Sequence, residues 1–172
     1  MIDAHVFVGR SLYENSLEPS SLLETMEALG VAAAVIRPLK PVDFDMDAAN
    51  RRVAELQSGE PRLVGFARVN PLEPGAPEQA RRAVEEYGLK GLHLHPWEEN
   101  CPVNSPKVDG VIRALGDRVP VYVSTGFPVV SHPLQLQELA ERHPQTLFIA
   151  AHGGQQDNSG MSFEDSLVVA RE

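Results

Sequence analysis

Cys101 is the only cysteine of this chain, so no internal disulfide exists, and the residue fits a reducing, cytoplasmic setting. It lacks the Cys and His neighbours of a zinc ribbon and reads as a bystander. No apolar run approaches the ~20 residues of a membrane span, and no charged-then-apolar signal segment opens the chain. Basic residues are scarce as well. Fifteen Lys and Arg against 24 Asp and Glu leave a net charge of −9, without the basic footprint that nucleic-acid or anionic-membrane binding needs. No Gly-x-Gly-x-x-Gly follows the first strand-like run, which argues against a dinucleotide fold. Ser124-Thr125-Gly126 lacks a nucleophile elbow, and no linker or low-complexity stretch marks a second domain.

What remains is a regular alternation. Six apolar runs, at 2–9, 32–39, 63–70, 89–96, 120–126 and 146–153, alternate with helix-like segments near 20–29, 45–58, 76–87, 106–116, 131–143 and 162–171. Ser20 or Ser21 reads as a helix start and Gly30 as its stop; Pro74-Gly75 and Gly88 bracket the third helix. Strands and helices in strict alternation imply a parallel sheet with right-handed crossovers. The fold class is therefore α/β, a TIM-barrel-like (β/α) sheet. Six βα units of the usual eight predict a single domain over 1–172 that lacks the last two units. The open edges this leaves predict pairing into a homodimer.

Polar residues gather at the C-terminal ends of these strands, where a (β/α) barrel places its chemistry: His5, Arg37, Arg68, His95, Ser124 and His152. Alternation puts Asp3, His5 and Phe7 on one face of the first strand, and Gly91, His93 and His95 on one face of the fourth. On the sixth strand it puts Phe148, Ala150 and His152 inward. His5, His93, His95 and His152 would then converge. Three neutral imidazoles and a water suffice for catalytic zinc; hydrogen-bonded interior histidines are the plainer alternative. His152 before Gly153-Gly154 is the candidate proton-transfer group. Arg37 and Arg68 are candidate clamps for a substrate carboxylate, with salt bridges as their other reading. Ser124 would hold a water or a substrate oxygen.

Several segments together resemble the amidohydrolase-related (amidohydrolase 2) family of the metal-dependent hydrolase superfamily, the group with aminocarboxymuconate-semialdehyde decarboxylase-like barrels. They are Ile2-Asp3-Ala4-His5, Leu22 to Ile36, Gly88 to Pro96, Pro120 to Gly126, Leu139 to Pro144 and Ala151-His152-Gly153-Gly154. The resemblance implies a distorted (β/α)8 barrel with one divalent cation, zinc or manganese, acting on a small, often carboxylated molecule. It implies a hydrolase or a non-oxidative decarboxylase. In the family's pattern the first strand carries Asp-x-His-x-His, the fifth a His and the eighth an Asp. Here His5 and His152 match, Phe7 stands at the second first-strand histidine, Ser124 stands at the fifth-strand histidine, and no eighth-strand Asp has a counterpart. His5, His93 and His95 are the candidate metal ligands, His152 the catalytic group, and Arg37, Arg68 and Ser124 the substrate contacts. The rival expectation is a catalytically inactive barrel homologue, metal-free, serving as a small-molecule-binding or interaction module.

Overall fold

All six apolar runs form strands of one sheet in the computed structural model, which describes residues 1–154 and 161–171, without the side chains of 161–164. The elements run β1 (Ile2–Arg10), β2 (Ser16–Leu17), α1 (Pro19–Leu29), β3 (Ala33–Pro38), α2 (Met46–Gly59), β4 (Leu63–Arg68), α3 (Ala76–Glu85), β5 (Gly91–Leu94), α4 (Pro96–Glu99), α5 (Pro106–Leu115), β6 (Val121–Val123), α6 (Pro133–Arg142), β7 (Phe148–Ala150) and α7 (Met161–Val169). The sheet order is β2-β1-β3-β4-β5-β6-β7. Every pairing is parallel except that of the two-residue β2, which folds back on β1. Chain neighbours thus stay neighbours in the sheet, as in a barrel.

Local chemistry explains most helix ends. Asp45 caps α2 by accepting from the Ala48 N–H at 2.9 Å, and Ser105 caps α5. His132 and Gln135 form a reciprocal capping box on α6. The first helix begins at Pro19, ahead of the predicted serines. Glu18 is its cap residue without a side-chain bond, and proline's fixed φ starts the turn. Gly30, at φ 65°, ends it as expected. Two short elements, β2 and α4, have no periodic pattern long enough to read from sequence.

Two apolar layers result. The outer one, between sheet and helices, takes Val6, Val8, Ile36, Leu92, Leu94, Val121 and Val123 from the strands. The inner one holds Phe66, Tyr122 and Ala151, flanked by Val35 and Val64. The last strand corrects an expectation. Phe148 packs on the outer layer and Ala151 on the inner one, so the inward row on β7 is offset by one residue from the Phe148-Ala150-His152 row. His152 still reaches the interior mouth, because the chain turns at the strand end with His152 at φ 56° and Gly153 at φ 60°.

The sheet curls strongly. Strands lie roughly 4.8 Å apart, so a flat sheet would separate β1 from β7 by about 24 Å. Yet the rings of His5 on β1 and His152 after β7 are 5.0 Å apart. Among the described residues no strand pairs with the outer edge of β7, and Ile2, Leu147 and Ile149 are exposed along the gap.

Candidate active site

At the C-terminal mouth of the curled sheet, the strands deliver His5, Phe7, Arg37, Arg68, His93 and Ser124, with His95 and His152 just beyond. His5 Nδ1 lies 2.8 Å from the Tyr122 hydroxyl, and its backbone N–H donates to Asp3 Oδ1 at 3.0 Å. His93 is fully buried, and its Nε2 lies 3.0 Å from Ser124 Oγ. His93 Nδ1 is buried without a partner. His95 caps the short helix α4: its Nδ1 accepts from the Glu98 N–H at 3.2 Å. His152 is exposed and its ring lies edge-on to His5. The four imidazoles singled out from the sequence therefore lie at one mouth, His5 against His152 and His93 against His95.

They are held neutral. Burial, with the Arg37 charge behind it, pushes His5 down to about 4. Burial and then Arg68 push His95 to about 4 as well. Burial holds His93 well below the usual histidine value, and burial followed by Arg37 lowers His152.

The two inward arginines have different fates. Arg68 is fully buried, and its Nε donates to Glu99 Oε1 at 3.1 Å while its Nη2 donates to Glu98 Oε2 at 2.5 Å and also to Glu99. Lys40 Nζ lies 3.1 Å from the other Glu99 oxygen. Of the two readings for Arg68, substrate clamp or salt bridge, the structure shows the salt bridge: α4 supplies two carboxylates that occupy the guanidinium. Among the described residues no carboxylate is bound to Arg37. Its Nη2 donates to the Ala4 carbonyl, while Nε and Nη1 are buried and unpartnered. It lies 4.0 Å from the Tyr122 ring centroid, 5.7 Å from Phe7 and 5.9 Å from Phe66.

The donor set does not fit a divalent cation. Among the described residues no group of three or more His, Cys, Asp or Glu side chains is arranged to hold one. The Phe7 ring stands between the imidazoles, 5.1 Å from His5, 5.4 Å from His93 and 6.3 Å from His95. Phenylalanine offers no lone pair, and Ser124 is committed to His93. Of His5, His93 and His95, grouped as ligands by sequence, His93 and His95 face each other at 5.5 Å, while the apolar Phe7 ring packs against all three. Tyr122, Glu98 and Glu99 are site residues that sequence reasoning passed over. Strand parity with Ser124 would have found Tyr122; nothing local marks the glutamates. A stacked pair, Trp97 on Phe127 at 4.7 Å, adds an aromatic surface on the segments that follow β5 and β6.

The sheet resembles several solved structures. One is a probable 2-pyrone-4,6-dicarboxylic acid hydrolase from Acinetobacter baumannii with citric acid bound. It has 17% identity and TM-score 0.70, over 98% of this chain and 65% of that one. A 5-carboxyvanillate decarboxylase from Novosphingobium aromaticivorans carries manganese and 3-methoxy-4-hydroxy-5-nitrobenzoic acid. It matches at 13% identity and TM-score 0.68, over 89% of this chain and 66% of that one. A zinc-bound amidohydrolase from Burkholderia multivorans matches at 16% and 0.68, over 99% and 64%. At these identities the likeness establishes the fold, and the chain spans about two thirds of the length of these proteins. No curated protein matches the sequence. No helix among the described residues is long and apolar enough to cross a membrane. The Amidohydrolase family model matches residues 5–168, nearly the whole sheet and every imidazole at its mouth, and the chain belongs to that family, in its amidohydrolase 2 branch.

Proposed function

We propose that this chain binds a small carboxylated molecule at the mouth lined by His5, Phe7 and His152, with His152 as the group that moves a proton if the ligand is turned over. The observation that carries this reading is the His5–His152 pair. It joins opposite ends of the sheet, and its rings are held neutral, with His5 Nδ1 against the Tyr122 hydroxyl, so that a remaining ring N–H can donate a hydrogen bond to an anion. His152 holds a left-handed backbone conformation that costs a non-glycine residue about 1 kcal/mol, a strain of the kind found at ligand sites. Citric acid in one relative and a substituted benzoic acid in another support a carboxylate as the ligand class. The test is calorimetric titration with benzoate and citrate in EDTA, with the histidine side-chain NMR signals followed in parallel. Saturable binding that moves the His5 and His152 signals, weakened in His152→Gln, is expected. Titration of either anion without any such shift would refute the reading.

Metal-assisted hydrolysis or non-oxidative decarboxylation is the second reading, favoured by the manganese and zinc of the relatives. Its mark is about one zinc or manganese per chain after purification without added metal, and turnover lost to a chelator.

A further inference from the structure

Among the described residues the interior of this sheet carries two buried guanidinium groups, and only Arg68 has a carboxylate in contact with it. Arg68 sits between two glutamates with Lys40 beside them. Arg37, equally buried, has a backbone carbonyl, three aromatic faces and two unused N–H-bearing nitrogens. Burying a charge without a carboxylate in contact is unfavourable, and the Tyr122 hydroxyl, the Asp3 charge and the aromatic faces offset only part of the cost. Such a group persists where its field is used. The field reaches fully buried His93 and also His5 and His152, the half-buried and exposed rings of the mouth.

Phe7 belongs to the same arrangement. By the family resemblance it stands where a metal-binding histidine would be, and in the structure its ring is one wall of the Arg37 cage, 5.7 Å from the guanidinium carbon. The aromatic substitution removes a ligand and shelters a cation in one step. We infer that Arg37, caged by Phe7, Phe66 and Tyr122, replaces a divalent metal as the fixed positive charge of this barrel and holds a carboxylate at the mouth with no metal present. This rests on the carboxylate reading above. The bound anion sits on His5 and His152, and Arg37 attracts it from below through the low-dielectric interior. The same charge opposes entry of a metal dication.

Two measurements test the inference. The first is binding of benzoate and of neutral methyl benzoate, in EDTA, to the wild type, Arg37→Lys and Arg37→Met, with folding checked by circular dichroism. Arg37→Met should weaken benzoate at least about tenfold and leave methyl benzoate unchanged, and Arg37→Lys should stay near the wild type. Benzoate binding that is equal in wild type and folded Arg37→Met overturns the inference while leaving the carboxylate reading intact. Absence of benzoate binding to the wild type overturns both. The second measurement covers the case in which Arg37→Met does not fold: zinc content of Phe7→His after dialysis against zinc and then buffer. It should stay well below one per chain with Arg37 in place. Stoichiometric zinc in Phe7→His alone would show that the caged charge does not stand in for the metal.

Discussion

Acid should unfold this protein well before its carboxylates titrate, and His95 allows the effect to be isolated. Its side chain is 13% exposed, lies beside Arg68, and is held down to about 4 by burial first and that charge second. The unfolded chain has histidine near 6.5. A folded value below the unfolded one means that the unfolded state takes the proton first. The stability due to a neutral His95 is then complete above about pH 6.5 and drains away as pH falls toward about 4. Between pH 7 and pH 5 the linkage relation gives a loss of about 2 kcal/mol for this residue alone. His93 acts in the same direction, and half-exposed His5 adds a smaller part. The carboxylates held low, Glu98 and Asp109, matter only below about pH 4.5. His95→Asn removes the titration and keeps an acceptor for the Glu98 N–H. Urea unfolding of both proteins at pH 7 and pH 5 should show the variant losing about 2 kcal/mol less than the wild type. Equal losses would refute the claim that His95 is folded as a neutral, desolvated imidazole.

Glu99→Gln removes the charge nearest Arg68 and Lys40 and should cost about 3 kcal/mol in urea unfolding, the low end for breaking a buried pair because Glu98 remains. Gly91→Ala would put a Cβ 2.4 Å from the Phe66 ring on the neighbouring strand, so thermal denaturation should report a loss of about 1–3 kcal/mol. The open edge, where Ile2 is 67% and Leu147 is 66% exposed, is expected to pair with a second copy. Light scattering should then give twice the chain mass for the wild type and the single mass for Ile149→Lys; a wild-type monomer would refute the pairing.

How far the fold was legible depends on how local its causes are. The apolar runs became β1, β3, β4, β5, β6 and β7 because alternation and helix period operate over a few residues. Gly30 ended α1 for an equally local reason, a left-handed φ that glycine adopts freely. The inward row of β7 was misplaced by one residue, since a three-residue strand has too little alternation to fix its own parity. Parity placed His5, His93 and His95 at the mouth, whereas His152 arrives there through the left-handed turn after β7.

By itself the sequence determined a parallel α/β barrel-like sheet, the family it resembles and the imidazoles near the strand ends, because each follows from short-range pattern or strand-end position. Tertiary structure alone decided what those residues touch. Tyr122 meets His5 across 117 positions, and Arg68 finds Glu98 and Glu99 across 30 and 31, on a helix of four residues that no pattern announces. Whether a buried arginine is neutralised or left as a working charge depends on how tightly the sheet curls and which loop folds over it. Those are properties of the closed shape, and no local stretch of sequence carries them.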